Sequence, residues 1–310
     1  MRVYVAGSRG LVGSSIMRVR PSLHDVYVTT RSELDLLQPE KVREYFVANG
    51  IEAVIFAAAK VGGIFANSRF QKDFLLENLK LQNSVIEAAF KANVGTFIFL
   101  GSSCIYPKMA DQPIAESSLL TGPLEESNEG YALAKIAGLR LCRAIYEETG
   151  KNYFSLMPSN LYGPDDNFDR LTSHVPAALM RRFHEAIIQE SNQVTIWGTG
   201  EVYREFMHAN DLAKACWYFL NMHVGGELIN VGTGHEVTIR GFAKLMAEVT
   251  GFKGSLDFDI SRPDGTPRKL LDVTKANNLG WNSSISLKDG LIETYDWFKA
   301  KYAKGEIRGF

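Results

Sequence analysis

The chain has 310 residues, with 34 lysines and arginines against 35 acidic residues and a formal net charge of −1. A chain of this length buries a full hydrophobic core and is long for one simple domain, so we expect one large domain or two unequal ones. The balanced charge gives no reason to expect a nucleic acid or a membrane as a partner.

The three cysteines, Cys104, Cys142 and Cys216, are odd in number and widely spaced, which disfavours both a disulfide framework and a metal-ligand cluster. No apolar run approaches the roughly 20 residues of a membrane span. The first residues are typical of a strand and a turn, without a basic leader and an apolar signal core. We therefore expect a protein of the reducing cytoplasm with no bound metal.

Short apolar runs rich in β-branched residues alternate with amphipathic segments in the first half of the chain. The predicted strands are residues 3–5, 26–28, 53–56, 97–100 and 153–156. The predicted helices are residues 11–19, 40–48, 73–92 and 131–149, the last of them with Gly150 as a suitable C-cap. This alternation predicts an α/β fold with a doubly wound parallel Rossmann sheet, in which ligands bind at the C-terminal ends of the strands.

The pattern changes beyond residue 160. It predicts helices over 173–190 and 211–221, and strands over 194–198 and 227–232. The last strand indicates a return to the large sheet. We therefore predict a Rossmann domain made of residues 1–163 and 205–233, and a smaller, discontinuous substrate-binding lobe made of residues 164–204 and 234–310. Residues 263–267 form the clearest predicted turn of that lobe.

A glycine-rich turn joins the first predicted strand to the first predicted helix. Its glycines permit a tight turn and close backbone approach, and the helix N-terminus offers free N–H groups to a pyrophosphate. The alternative is a turn whose glycines serve packing only. We predict that the whole turn binds a dinucleotide, and its residues are Gly7, Ser8, Arg9, Gly10, Leu11, Val12 and Gly13.

Two arginines indicate which dinucleotide is bound. In NAD-binding sheets the second strand tends to end in an acid that holds the ribose 2′-hydroxyl, whereas here it runs into Arg31. Arg9 projects from the glycine turn, so two guanidinium groups could bind a 2′-phosphate. We therefore predict NADP(H) as the cofactor. The alternative is that either arginine is only a solvated surface residue.

Ser102, Tyr131 and Lys135 are predicted to form a hydride-transfer site. Tyr131 and Lys135 are four residues apart on one face of a helix, so the ammonium is expected to favour the ionised phenol. A phenol with an ordinary pKa of about 10 then becomes a usable proton donor near neutral pH. Ser102 would hydrogen-bond a substrate carbonyl, with Ser103 as the competing choice, and Lys135 would also bind the nicotinamide ribose.

Together these motifs resemble the extended short-chain dehydrogenases/reductases and, more narrowly, the GDP-L-fucose synthase family, over nearly the whole chain. The resemblance implies an NADPH-dependent 3,5-epimerase and 4-reductase that acts on GDP-4-keto-6-deoxy-mannose. The stretches that carry it are residues 57–64 (AAAKVGGI), 101–108 (GSSCIYPK), 131–138 (YALAKIAG), 161–164 (LYGP), 173–175 (SHV), 181–186 (RRFHEA) and 263–269 (PDGTPRK).

The resemblance assigns Cys104 and His174 to the epimerisation. A 4-ketone acidifies the hydrogens at C3 and C5, so inversion needs one group that removes a proton and another that returns one from the opposite face. A thiol with a pKa of about 8.5 and an imidazole with a pKa of about 6.5 both exchange protons around neutrality. Taken alone, each side chain could instead be a packing residue.

The resemblance also implies the remaining binding residues. A GDP-sugar substrate suits two arginines, which bind a diphosphate, and an aromatic ring, which stacks on a base, although Trp197 could equally lie in the core. The implied substrate-binding residues are Arg182, Trp197, Arg204, Asp264 and Lys269. The implied cofactor contacts besides the turn are Lys135, Pro158, Asn160, Leu161 and His174, with Asn160 able to contact the sugar instead.

Helices 73–92 and 131–149 are the pair through which the resemblance implies a homodimer. Two competing functions remain at this point. A sugar-nucleotide 4-epimerase or 4,6-dehydratase with tightly bound NAD is disfavoured by Arg9 and Arg31. A non-catalytic NADP-sensing or scaffold protein is disfavoured by the intact set of Ser102, Tyr131 and Lys135.

Overall fold

The computed structural model describes residues 1–262 and 264–309. For residues 64 and 65 it describes the backbone but not the side chains. Pro263 of the predicted turn lies outside the described residues. The strands are Arg2–Ala6 (β1), Asp25–Tyr27 (β2), Ala53–Phe56 (β3), Thr96–Leu100 (β4), Asn152–Pro158 (β5), Asn160–Tyr162 (β6), Gln193–Trp197 (β7), Tyr203–Arg204 (β8), Phe206–His208 (β9), Leu228–Val231 (β10), Val237–Thr238 (β11), Ser255–Asp259 (β12) and Arg268–Lys269 (β13).

The helices match the predicted ones to within about two residues where a helix is predicted. They are Leu11–Arg18 (α1), Pro39–Asn49 (α2), Ile64–Arg69 (α3), Gln71–Lys91 (α4), Glu129–Thr149 (α5), Val175–Ile188 (α6), Ala209–Leu220 (α7), Ile239–Thr250 (α8), Thr274–Asn278 (α9) and Leu287–Tyr302 (α10). Gly150 is the C-cap of α5, in the left-handed conformation with φ of 70°. Within the described residues, no helix combines the length and the apolar character that crossing a membrane requires.

The predicted doubly wound parallel sheet is confirmed. It has six strands in the order β10-β5-β4-β3-β1-β2, and all neighbours are parallel. The chain adds β2 on one side of β1 and later strands on the other, so the loops after β1 and β3 diverge at the switch point where open sheets bind ligands. The strand at 227–232 returns to this sheet as β10, as predicted.

Alternating side chains of the central strands supply two cores. Tyr4 packs with the α2, α4 and α5 layer, whereas Val3 and Val5 pack with α1 and α7 on the opposite face. A period of two is what a strand between two helical layers requires. Helices therefore cover both faces of the sheet. A ligand is expected at the C-terminal ends of the strands, as in other open parallel sheets.

A third core belongs to the smaller lobe. It centres on the fully buried rings of Phe183 in α6, Phe242 in α8 and Phe298 in α10. Around it lie the parallel pair β7–β12 and a three-stranded sheet in the order β11-β8-β13. Beyond residue 232 the sequence predicts only the turn, and several of the elements found there are strands of two residues, too short for a hydrophobic period.

Candidate active site

The glycine turn between β1 and α1 is shaped by two of its three glycines. Gly7 has φ of +83°, and a Cβ at that position would lie 2.8 Å from the backbone of Ala58. A Cβ at Gly13 would collide with the backbone of Gly7. A Cβ at Gly10 would meet nothing closer than 3.6 Å, and no side chain caps α1 there. The first N–H groups of α1 are thus left open to an anion.

A cavity of about 560 Å³ lies beside this turn. Arg9 and Arg31 both line it, so the fold brings together the two arginines predicted to bind a 2′-phosphate. Glu33 also lies near Arg9; hydrogen bonds from Thr30 hold its pKa below the ordinary range. The cavity therefore offers these two guanidinium groups close to the glycine turn, and lysines line it as well.

Lys60 also lines this cavity and was not among the predicted cofactor residues. It follows β3, so the rule that ligands bind after the strands at the switch point could have found it. Its ammonium forms an ion pair with Glu77 at 2.6 Å. Lys60 is thus a third cation at the cofactor cavity, already neutralised by a carboxylate.

Ser102, Cys104, Tyr131 and Lys135 meet where β4 ends and α5 begins. The Ser102 hydroxyl accepts a hydrogen bond from the backbone N–H of Cys104 at 3.4 Å. The Lys135 ammonium donates to the carbonyl of Leu100 at 2.8 Å and lies 5.7 Å from the centre of the Tyr131 ring. Serine, phenol, thiol and ammonium thus share one sheet edge. Ser103 is buried, as are Cys104 and Lys135.

The protonation of this cluster differs from the expectation in one respect. Burial raises the pKa of Tyr131, and the neighbouring Cys104 raises it further. Burial also lowers the pKa of Lys135 to about 8. The expectation that Lys135 favours an ionised Tyr131 is therefore wrong for the ligand-free site, because burial and the neighbouring Cys104 both raise the pKa of the phenol. Tyr131 is a protonated phenol, which is the form a proton donor needs.

Cys104 is 6% exposed, and burial raises the pKa of its thiol. Lys269, Ser102 and Lys135 act in the opposite direction, Lys269 most strongly. Two lysines therefore favour a thiolate that burial disfavours. The thiol is neutral when no ligand is bound, yet it lies among cations that would stabilise its ionised form.

His174 is the N-cap of α6, not a residue within the helix predicted over 173–190. Its side chain is exposed to solvent, but the protein around the ring lowers its pKa by desolvation. Gly63 packs closely beside this N-cap, since a Cβ there would lie 2.8 Å from the Ser173 carbonyl, and a Cβ at Gly62 would lie 3.0 Å from the Phe74 ring. Phe74 in turn contacts Tyr131 edge to face at 6.4 Å.

The three-stranded sheet places Arg204 and Lys269 side by side, since β8 and β13 pair in that register. Burial lowers the pKa of both, and Asp264 partly offsets this effect at Arg204. Asp264 itself accepts hydrogen bonds from the N–H and hydroxyl of Thr199 at 2.8 and 2.9 Å. Its carboxylate thus stabilises the turn after β7. The sequence predicted a substrate contact for Asp264 but not this structural role.

Trp197 is 53% exposed, so the alternative of a core residue is wrong. The centre of its ring lies 5.2 Å from the Arg182 guanidinium and 5.1 Å from the Arg262 guanidinium. Cations near an indole hold the ring in place, while about half of the residue stays exposed to a ligand. Arg182 also donates to the carbonyl of Thr195 at 3.1 Å.

The predicted cofactor contacts after β5 are tied into the fold. Pro158 is buried at the end of β5, and Leu161 packs on the core beneath α1 and α7. The Asn160 amide donates to the carbonyl of Glu205 at 2.8 Å and so joins β6 to β9. These residues lie at the C-terminal edge of the sheet but have structural partners there.

Known proteins share this fold and these motifs. Residues 3–232 match the model of the NAD dependent epimerase/dehydratase family. A probable GDP-L-fucose synthase 1 of Oryza sativa subsp. japonica is 52% identical, over 96% of this chain and 92% of the relative. The GDP-L-fucose synthase of Escherichia coli (strain K12) is 49% identical, over 96% of both chains.

A solved structure is similar as well. The crystal structure of a GDP-L-fucose synthetase from Naegleria fowleri bound to NADP has a TM-score of 0.89 and 25% identity, and the match covers 98% of this chain and 96% of that one. The chain therefore belongs to the NAD dependent epimerase/dehydratase family and, within it, to the GDP-L-fucose synthases.

Proposed function

We propose that this protein converts GDP-4-keto-6-deoxy-D-mannose to GDP-L-fucose, by epimerisation at C3 and C5 followed by reduction of the C4 ketone. NADP(H) is the cofactor, and NADPH supplies the hydride. The observation that carries the proposal is the meeting of Ser102, Cys104, Tyr131 and Lys135 at one sheet edge, beside a cavity lined by Arg9 and other basic residues. The GDP-L-fucose synthases at about 50% identity support the same reaction.

The cofactor fits the residues present. The turn over Gly10 leaves space where a side chain would stand, and α1 presents uncapped N–H groups to a pyrophosphate. Arg9 and Arg31 would hold the 2′-phosphate, and Lys135 the nicotinamide ribose. Pro158, Asn160 and Leu161 would complete the nicotinamide end of the site.

In the reduction, we assign the proton to Tyr131. Its raised pKa keeps the phenol protonated, so it can donate to the C4 oxygen as that atom gains negative charge. The Ser102 hydroxyl would donate a hydrogen bond to the same oxygen. The buried ammonium of Lys135 would stabilise the tyrosinate left behind, because an opposite charge favours the ionised phenol.

In the epimerisation, we assign the base to Cys104 and the acid to His174. Removal of a proton beside the ketone leaves an enolate, whose oxygen would accept hydrogen bonds from Ser102 and Tyr131. Without a ligand both proton-exchanging groups are neutral, since the thiol pKa is raised and the imidazole pKa is lowered. The reaction therefore requires a proton to pass from the thiol to the imidazole, which Lys269 and a bound anion would both favour.

For the GDP-sugar, we assign Arg204 and Lys269 to the diphosphate end of the substrate and Trp197 with Arg182 to stacking and binding. We also retain the division into a cofactor domain of 1–163 and 205–233 and a substrate lobe of 164–204 and 234–310. The separate core around Phe183 supports this division.

We propose a homodimer formed through α4 and α5. These long helices pack against each other, and they leave leucines in solvent: Leu76 is 45%, Leu133 is 42% and Leu141 is 37% exposed. A second copy would cover them.

We propose a cytoplasmic location because the cysteines are free and buried.

The test is to incubate the protein with GDP-4-keto-6-deoxy-D-mannose and NADPH. We expect loss of NADPH absorbance together with a product of the L-galacto configuration, established by NMR. A product that is reduced at C4 but retains the C3 and C5 configurations of the substrate would contradict the proposal. Light scattering on the same sample would give the oligomeric state.

A further inference from the structure

The C-terminal segment, residues 305–309, lies beside the cofactor turn although it follows α10 of the smaller lobe. The Nη1 atom of Arg308 lies 4.0 Å from the position that a Cβ at Gly10 would occupy. Gly10 is the N-cap of α1, and no side chain accepts from the free N–H groups there. A cation from the far end of the chain is therefore placed at the turn that suits a pyrophosphate.

The backbone of this segment is fixed on both sides of Arg308. The Phe168 N–H donates to the Arg308 carbonyl at 3.0 Å, and the Arg181 guanidinium donates to the Gly309 carbonyl at 2.9 Å. Ile307 is 4% exposed within the core of the smaller lobe. None of these contacts uses the Arg308 guanidinium, so the segment is held in place without it.

Gly309 allows the C-terminal segment to pack closely on the loop after β6. Its φ is +85°, and a Cβ there would collide with the backbone of Asp169. A residue with a side chain would therefore displace the segment from the loop after β6. The glycine allows the close approach that carries Arg308 to the turn.

The guanidinium of Arg308 is exposed and has neither a hydrogen bond nor an ion pair within residues 1–262 and 264–309. The acidic group that its charge influences is Asp166, which is 4% exposed. Asp166 accepts from the Asn167 N–H at 2.7 Å through one oxygen, and burial raises its pKa to about 7. A carboxyl group so often protonated neutralises the arginine only in part, so the donors of Arg308 are available to an anion.

We propose that Arg308 binds the pyrophosphate of the dinucleotide cofactor. The inference rests on the proposed function, because it requires that NADPH binds at the glycine turn. A guanidinium suits a diphosphate through paired N–H donors. The Nη1 atom of Arg308 lies beside Gly10 at the N-terminus of α1, where a pyrophosphate would bind, whereas Arg31 lies after the end of β2. Arg308 therefore contacts the part of the cofactor that NADPH and NADH share, whereas Arg9 and Arg31 contact the 2′-phosphate.

The test is fluorescence titration of NADPH and of NADH into wild type, Arg308→Gln and Arg308→Lys. The matched control is Lys304→Gln, which removes an exposed cation from the same end of the chain. We expect Arg308→Gln to raise both dissociation constants by about 10-fold, the scale of one charge-assisted hydrogen bond, and by the same factor for each cofactor. Arg308→Lys should recover part of the affinity, and Lys304→Gln should lose none.

Thermal unfolding of the ligand-free variants separates binding from folding. Because only backbone and neighbouring side chains hold the segment, Arg308→Gln should melt at the wild-type temperature. Unchanged dissociation constants, a loss confined to NADPH, or a lower melting temperature that accounts for a loss not restored by Arg308→Lys would each overturn the inference. Failure of wild type to bind either cofactor would overturn the proposed function as well, whereas equal binding by wild type and Arg308→Gln would overturn this inference alone.

Discussion

The cofactor end and the substrate end of the site are built in different ways. The cofactor turn is one continuous stretch, residues 7–13, and its shape follows from backbone sterics at Gly7 and Gly13. At the substrate end, Cys104 follows β4 and its thiol is tuned by Lys269 from β13, an element at the other end of the chain. The cofactor turn lies within one short stretch that packs against Ala58 of the same domain, whereas the substrate end exists only after both lobes have folded.

This difference separates the variants that should remove chemistry from those that should remove binding. The strongest effect is expected from Tyr131→Phe, at the sheet edge where the catalytic side chains meet. The variant deletes the proton donor and keeps the ring, so turnover should fall by about 10²–10⁴-fold, the usual contribution of a positioned acid. NADPH titration should give a near-normal dissociation constant, and near-normal turnover would contradict the assignment.

Cys104→Ser should break the substrate end alone. A hydroxyl ionises far less readily than a thiol, so proton exchange at C3 and C5 should fall by about 10²-fold or more. NMR in heavy water, first without and then with NADPH, measures that exchange. Wild-type rates of deuterium incorporation at both carbons would show that Cys104 is not the base and that its thiol serves packing.

Replacing both Arg9 and Arg31 with Ala should weaken NADPH binding at the cofactor end. Each charge-assisted bond to a 2′-phosphate contributes on the order of 1.5–3 kcal/mol, so NADPH should lose affinity while NADH changes little. The measurement is the ratio of kcat/KM for the two cofactors. An unchanged ratio would remove both arginines from the 2′-phosphate site.

Two glycines of the same turn form a matched pair. In Gly13→Ala the new methyl meets the Gly7 backbone, which cannot move away cheaply, so the free energy of unfolding should fall by about 1–3 kcal/mol. In Gly10→Ala the methyl meets no atom closer than 3.6 Å, so stability should hold while NADPH binding weakens. Denaturant unfolding and cofactor titration on both variants test this contrast, and it fails if the two behave alike.

At saturating substrate, where weaker binding of the diphosphate does not enter, the smallest effect is expected from Lys269→Gln. Lys269 holds down the pKa of the Cys104 thiol, so its loss should raise that pKa. A base acts in its deprotonated form, so the rising limb of carbon-proton exchange should move to higher pH, by about one unit. Lys244→Gln, an exposed lysine on α8, is the control. A profile that stays in place or moves to lower pH would contradict the electrostatic role.

Two kinds of sequence signal predicted most of the large sheet. Apolar runs such as residues 53–56 and 97–100, separated by helix-length segments, reproduce β3, β4 and their neighbours, because a strand buried on both faces must be apolar throughout. The strands of the smaller lobe were not predictable in this way. β8 and β13 have two residues each, and such short pairings depend on contacts distant in sequence.

The site, like the fold, has some features that could be predicted from the sequence and others that depend on contacts distant in sequence. The residues that chain sterics or helical spacing place together could be predicted from the sequence: the glycine turn of residues 7–13, and the pair Tyr131 and Lys135 on one helix face. The other properties of the site arise in the folded molecule, because hydration and charge depend on what packs nearby. Burial keeps Tyr131 protonated despite Lys135, and the docked C-terminal segment brings Arg308 to Gly10.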